Sequence, residues 1–171
     1  METEEQQRSQ PIGSESVDFR LEVQMRLQYL TSVRRTVGEL AAVVVRDGDL
    51  ASRLALATHE LLENALKYAL DTSAPVTLKL WIESSHSASV TVSNVSNQSL
   101  YLPLAQYLQT LSKASDPDAM YLQLLETAMH RVSGSGLGLA RIVAEAEMKL
   151  SCDLCGDMLS VRAEAHLGDR P

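Results

Sequence analysis

The chain has 171 residues, 45% of them hydrophobic, and a formal net charge of −7. This length suits one hydrophobic core of ordinary size and is short for two independent domains. The acidic residues are scattered, which argues against a nucleic-acid-binding surface. The longest apolar stretches fall far short of the roughly 20 residues that span a bilayer. Because the polar start also lacks a secretory pattern, we expect a cytoplasmic protein with no membrane segment.

The first part of the chain predicts a tail, a strand and two helices. Residues 1–16 are rich in Glu, Gln and Ser, and too poor in apolar side chains to offset the entropy of ordering, which predicts a disordered tail. Apolar and polar residues alternate over 18–24, as in a half-buried strand. Apolar residues at helical spacing predict amphipathic helices over 29–45 and 50–70, with a turn at 47–49 between them.

Two hairpins and three further helices follow. Runs rich in β-branched residues at 76–83 and 88–94 predict one antiparallel hairpin, and 150–154 with 158–165 predict a second. The segments between the two hairpins carry apolar residues at helical spacing and helix-start signals. They predict helices over 100–112, 119–131 and 140–148.

The order of these elements is β, α, α, ββ, a helical insert, α, ββ, which predicts an α+β fold. We expect a two-layer α/β sandwich in which helices cover one face of a mixed, mostly antiparallel sheet. This domain would occupy residues 17–166, with a short tail at 167–171.

A polar row lies on the second predicted helix. Glu60, Asn64 and Lys67 are spaced so that they share one face, opposite the apolar stripe. A carboxylate can orient or deprotonate a nucleophile, and an Asn oxygen is a hard ligand suited to Mg²⁺, which itself bridges phosphate oxygens. The row therefore suits phosphoryl chemistry, and it equally fits the solvated face of an amphipathic helix.

A glycine-rich segment, Gly134-Ser135-Gly136-Leu137-Gly138, stands directly before a predicted helix. Glycines permit positive φ angles and close backbone approach, and the free N–H groups of a helix N-terminus attract phosphate. The segment predicts a phosphate-binding loop, with a plain hinge between helices as the alternative. Arg141, just past it, is expected to be an exposed helix arginine, with contact to a phosphate as the alternative.

Taken together, HELLENALKYA at 59–69 and GSGLGLARIV at 134–143 resemble the N box and the G2 box of the GHKL ATPases. That superfamily includes histidine kinases, gyrase and anti-sigma-factor serine kinases. The resemblance covers about 18–165, and the strand and helix ahead of the N box look most like the small serine-kinase branch.

The resemblance implies ATP and Mg²⁺ as cofactors, with Glu60 as the catalytic base or water-positioning residue and Asn64 as the metal ligand. It also implies that Lys67 approaches phosphate and that the glycines shape a phosphate lid. The implied nucleotide-binding residues are Asn64, Lys67, Asn94, Gly134, Ser135, Gly136, Leu137 and Gly138.

One segment departs from the family pattern. Where the adenine box Asp-x-Gly-x-Gly should follow the second hairpin strand, this chain has Asn94-Val95-Ser96-Asn97-Gln98. Asn94 can accept a hydrogen bond from an adenine amine, but it is neutral and both glycines are replaced. The chain also resembles a divergent bacterial subgroup of small kinases that lack the standard adenine box and carry a long helical segment, which 98–133 matches.

The resemblance implies a partner-switching regulator that binds ATP and phosphorylates a small antagonist protein on Ser or Thr. The degenerate adenine box leaves open a pseudo-ATPase that acts as a protein-binding scaffold, and a detached histidine-kinase catalytic domain is a third interpretation. No nucleic acid and no membrane are expected as partners, and a homodimer is left open.

Overall fold

The computed structural model describes residues 16–24, 26–83, 87–129 and 136–166, which contain five strands and five α-helices. The strands are β1 (Ser16–Val23), β2 (Val76–Glu83), β3 (Ser87–Val95), β4 (Lys149–Cys155) and β5 (Met158–His166). The helices are α1 (Leu30–Val45), α2 (Gly48–Lys67), α3 (Gln98–Ser112), α4 (Pro117–Met129) and α5 (Leu137–Ala144).

The strands form one five-stranded sheet in the order β1-β2-β3-β5-β4. Both predicted hairpins are present, as β2–β3 and β4–β5. Each pairing between the described strands is antiparallel, so the parallel component of the expected mixed sheet is not found there. The predicted α+β class and two-layer architecture are confirmed.

The core lies between one face of the sheet and the helices. Side chains of β2 alternate between buried and more accessible positions, because successive residues of a strand point to opposite faces. Helix α2 packs against β3, and α1 packs against α2. The fully buried large side chains of this core include Leu54, Leu62, Leu78, Leu80, Ile82, Val90, Val92 and Ile142.

Helix α2 begins two residues before the predicted start because Asp47 caps it. The Asp47 carboxylate accepts hydrogen bonds from the backbone N–H groups of Asp49 at 2.9 Å and Leu50 at 3.2 Å. Such a cap satisfies donors that have no partner inside the helix. At the other end α2 stops at Lys67 rather than at residue 70.

Helix α5 is fixed along α2 at both of its ends. Arg53 of α2 donates hydrogen bonds to the carbonyls of Ala146 and Glu147, just past the end of α5. Near the start of α5, Gly138 lies against Glu60 of α2. Arg53 precedes Glu60 in α2 but contacts the end of α5, whereas Glu60 lies against its start. The two helices therefore run in opposite directions.

Some predicted boundaries change. Strand β1 begins at Ser16, which the sequence placed in the tail, while residues 1–15 and 167–171 lie outside the described part of the chain. Helix α5 begins at Leu137 rather than residue 140. Of the helices in the described ranges, none is long and apolar enough to cross a bilayer.

Candidate functional site

A cavity of about 360 Å³ lies between α2, the sheet and α3. Its volume falls within the roughly 300–1,000 Å³ of small-molecule sites. Among the residues that the structure describes, no charged side chain lines it. Its apolar wall consists of Leu61, Ala65, Val92, Leu100, Pro103, Leu104, Leu139, Leu159 and Val161.

Polar side chains reach the cavity from α2, from the end of β3 and from the connection that follows β3. They are Asn64, Asn94 and Ser96, and the cavity is also lined by Tyr68 and Tyr107. Asn94 is 6% exposed, and its Nδ2 donates to the carbonyls of Ala65 at 3.5 Å and Val95 at 3.4 Å. Both distances exceed the usual 2.7–3.2 Å, so these bonds are weak.

Two of these side chains keep unused hydrogen-bonding capacity. Ser96 is 3% exposed; its backbone N–H donates to the Asp157 carbonyl at 2.7 Å. Within the described residues, Ser96 Oγ and Asn64 Nδ2 are buried without a hydrogen-bond partner. Buried polar atoms in native proteins are usually paired, so unpaired ones beside a cavity indicate where a ligand or an ordered water would bind.

Glu60 lies beside the cavity but does not line it. The residue is 8% exposed and faces α5, where its Oε1 accepts a hydrogen bond from Arg141 Nη1 at 3.2 Å. Its Oε2 occupies the space next to Gly138 that a Cβ atom would fill. Glycine at position 138 therefore lets α5 approach the carboxylate closely.

Arg141 belongs to a small charged cluster on α4 and α5. Its Nε donates to Glu145 Oε2 at 2.7 Å, and this hydrogen bond raises the arginine pKa further. Tyr121 of α4 faces the same group: burial raises its pKa, and the carboxylates of Glu145 and Glu60 add to that rise while Arg141 opposes it. The cluster on α4 and α5 thus lies beside the candidate catalytic carboxylate of α2.

The glycine segment meets the cavity at Gly136. This residue has a φ of 95° and caps α5, and its carbonyl accepts a hydrogen bond from the Tyr107 hydroxyl of α3 at 2.9 Å. Burial raises the Tyr107 pKa, so the hydroxyl keeps its proton for this bond. Leu137 and Gly138 lie in the first turn of α5 rather than in a loop, and Gly134 and Ser135 lie outside the described residues.

Lys67 does not line the cavity, although its neighbour Tyr68 does. It is exposed, and its Nζ lies over the Tyr68 ring at 5.5 Å from the centroid. Thus the three residues of the polar row predicted on α2 have different surroundings: Asn64 faces the cavity, Glu60 faces α5, and Lys67 lies at the surface.

Asn64 carries the oxygen type that Mg²⁺ prefers. No group of three or more His, Cys, Asp or Glu side chains in the described ranges could hold a metal ion by itself. A magnesium ion at Asn64 would therefore need ligand oxygens from a bound molecule and from water, which is how this ion is usually held at phosphates.

Two contacts of the site were not identified from the sequence. Tyr107 lies in a helical segment with no motif, and only the fold brings it to Gly136. Arg141 was expected to be an exposed helix arginine, whereas it pairs with Glu60. Arg141 and Glu145 are four residues apart, a spacing that brings two side chains together on a helix. The sequence therefore indicated the contact with Glu145 but not the one with Glu60.

Comparison with known proteins supports the fold. No protein-family model matches the sequence, and a search of curated proteins finds no match. Among solved structures, the chain is similar to a chain in the crystal structure of the SiaB–SiaC complex from Pseudomonas aeruginosa. The TM-score is 0.67 at 17% sequence identity, and the match covers 86% of this chain and 89% of that chain. The protein thus shares its overall α+β fold with a component of a two-protein complex.

Proposed function

We propose that this protein is an ATP·Mg²⁺-binding regulator of the partner-switching type that phosphorylates a small antagonist protein on Ser or Thr. The observation that carries the proposal is the convergence of Asn64, Asn94 and Ser96 on one cavity, with unpaired polar atoms on two of them. Asn64 comes from the helix at which the sequence resembles a nucleotide-binding family, and Asn94 and Ser96 come from the strand end at which that family carries its adenine box and this chain departs from it.

The lining of the cavity suits the nucleoside part of ATP. Apolar walls favour a flat heterocycle, and a few polar atoms fix its orientation. Because no charged side chain among the described residues lines the cavity, the phosphates would extend out of it past Gly136. The backbone N–H groups at the start of α5 follow Gly136 directly, and such groups favour phosphate.

The candidate residues also suit magnesium. Asn64 lines the cavity and its side chain carries an amide oxygen, and Mg²⁺ commonly takes only one or two protein ligands beside phosphate oxygens and water. When bound, the ion would neutralise phosphate charge during transfer.

Glu60 would orient the acceptor hydroxyl and take its proton while the γ-phosphoryl group moves from ATP to the hydroxyl oxygen and ADP leaves. In the present arrangement its Oε1 is engaged by Arg141. The proposed reaction therefore requires Arg141 to share or release the carboxylate when the acceptor protein docks.

The structural neighbour supports a protein partner. It is a chain of a complex of two different proteins, and the match spans most of both chains. A small regulatory protein is accordingly the proposed acceptor, and it is best sought among the products of neighbouring genes.

Calorimetric titration with ATP and Mg²⁺ tests the binding step. We expect binding by the wild type and a loss of at least about tenfold in affinity in Asn64→Ala, because the metal ligand is removed. Glu63→Ala, at an exposed residue of the same helix, is the matched control and should bind like wild type. Absence of binding by the wild type would overturn the proposal.

Incubation with the candidate partner and radiolabelled ATP tests the transfer step. Transfer to Ser or Thr that disappears in Glu60→Gln supports a kinase, and acid-labile label on the partner would instead identify histidine phosphorylation.

A protein-binding scaffold without nucleotide is the second candidate. The specific observation in its favour is that Glu60 is tied to Arg141 and does not line the cavity. A scaffold would bind the same partner with unchanged affinity whether or not ATP is present and would transfer no label.

A further inference from the structure

Helix α4 is rich in apolar residues, yet none of its described side chains is fully buried. Among the described elements it packs chiefly against α5. Met120, Tyr121 and Leu124 lie partly buried against the core, whereas Leu122 is 59% exposed. Burial of an apolar face is what stabilises such a helix on a protein. The outer side of α4 therefore offers apolar surface that a second protein could cover.

A groove of about 380 Å³ lies between the start of α4 and the end of α5, and we call it the α4–α5 groove. Its apolar lining consists of Pro117, Val143, Ala144 and Met148. Its charged lining consists of Asp118, Glu147 and Lys149. An apolar pocket with a polar rim is typical of the anchor sites of protein interfaces. The groove is thus suited to an apolar side chain of a partner.

The surroundings of this groove are mainly acidic. Segment 116–129, which contains α4, has three carboxylates and no lysine or arginine. Glu147 is shared with Arg53 at 3.7 Å, and Lys149 is the cation of the groove lining. The excess of carboxylates favours a partner segment that carries Lys or Arg. A second copy of this chain fits less well, because its net charge is −7.

The groove lies close to the candidate catalytic carboxylate. Tyr121, on the turn of α4 that follows the groove, faces Glu60 and Arg141. Gly138, which lies against Glu60, and Ala144, which lines the groove, are about 9 Å apart along α5. Glu60 does not line the nucleotide cavity, and the Arg141 side chain that binds it is 41% exposed. An acceptor hydroxyl would therefore approach Glu60 from the side of α4 and α5.

Resting on the kinase function proposed above, we propose that the acceptor protein docks in the α4–α5 groove. The docking segment carries an apolar side chain flanked by Lys or Arg. In an extended segment, the Ser or Thr that receives the phosphoryl group lies about three residues from that side chain, since each residue spans about 3.3 Å. Docking there brings the hydroxyl to Glu60 while the nucleotide stays in its own cavity.

Steady-state kinetics of label transfer from ATP to the acceptor protein test this proposal. In Asp118→Lys the KM for the acceptor should rise by at least about tenfold, because the charge that attracts the docking segment is reversed. The kcat and the affinity for ATP should stay as in wild type, since Asp118 lines the groove and not the nucleotide cavity.

Asp18→Lys is the matched control. It makes the same change in net charge at an exposed residue of β1, whereas Lys149 of the groove belongs to β4 at the opposite edge of the sheet. The KM for the acceptor should not change. Thermal unfolding verifies that both variants are folded.

Lys149→Gln adds a test with the opposite sign. Removing the cation of the groove should lower the KM for the acceptor by about threefold, a gain that general damage to the groove would not produce. A KM that stays unchanged in folded Asp118→Lys protein would overturn the docking site. If self-association were lost in that variant instead, the groove would belong to a second copy of the chain. Absence of transfer by the wild type to any acceptor would overturn the proposed kinase function, and this docking site with it.

Discussion

Glu60 of α2 and Arg141 of α5, which are 81 residues apart in the chain, form an ion pair with 3.2 Å between Oε1 and Nη1. The Glu60 side chain is only 10% exposed, so water cannot stabilise its charge as it does at the surface. The arginine is partly exposed and is shared with Glu145. The candidate catalytic carboxylate thus depends on α5 for its main charged partner.

Arg141→Met should destabilise the protein by about 1–3 kcal/mol, because it leaves Glu60 nearly buried without its cation. Urea unfolding measures this loss. Arg35→Met is the matched control, since Arg35 and Glu39 form an exposed pair at 3.6 Å whose removal should cost less than about 0.5 kcal/mol. Equal losses in the two variants would contradict a special role for the buried pair.

Gly138→Ala should destabilise the protein by about 1 kcal/mol or more, even though alanine favours a helix over glycine by about 1 kcal/mol. The new Cβ would overlap Glu60 Oε2 and lie 3.2 Å from its Cδ, so the carboxylate must shift, which disturbs the hydrogen bond between its Oε1 and Arg141. Chemical denaturation measures the change. In a Glu60→Ala background the same substitution should become neutral or stabilising; persistence of the loss there would show another cause.

Gly48→Ala is the control for this effect. It lies in the first turn of α2, and a Cβ there meets nothing within 4 Å. We expect a change between zero and about 1 kcal/mol of stabilisation.

Tyr107→Phe should lower the free energy of unfolding by about 0.5–1.5 kcal/mol at neutral pH, because the hydrogen bond to the Gly136 carbonyl is lost. Burial raises the pKa of Tyr107 above its ordinary 10.0, so the unfolded chain loses this proton first as pH rises. The wild type should therefore lose stability progressively above about pH 10, and the variant should lose less. Denaturant titrations from pH 8 to 11 check this; parallel pH curves would refute it.

Leu104→Trp should fill part of the cavity and weaken ATP binding by at least about tenfold, because a larger side chain there occupies space that the ligand needs. The matched control is Leu122→Trp on α4, where the leucine is 59% exposed and outside the cavity lining. Calorimetry measures affinity and thermal unfolding measures stability. Unchanged ATP affinity in a folded Leu104→Trp protein would place the nucleotide elsewhere.

The strands and helices were predicted well where burial follows a simple period. The predicted strand at 76–83 has the observed bounds of β2, since its side chains alternate between the core and the accessible face. The start of α5 was predicted three residues late. The glycines there suggest a loop, yet of the two that the structure describes, Gly136 has a positive φ and Gly138 is inside the helix.

The candidate site was predicted only in part. The sequence selects Asn64, Asn94 and Gly136, and the structure brings these three together at the cavity. The roles proposed for Glu60 and Lys67 stay predictions. Helical spacing places both residues on the same face of α2 as Asn64. In the fold, however, α5 packs against Glu60, so the residues of this one face have different surroundings.

The sequence by itself determined the α+β class and which candidate residues lie on α2 and at the end of β3, because periodicity and local spacing are properties of short segments. Only the tertiary structure decided that Arg141 meets Glu60, that Tyr107 meets Gly136 and that no charged side chain of the described residues lines the cavity. Such contacts depend on how distant helices approach one another across the sheet, and no local pattern in the chain specifies that approach.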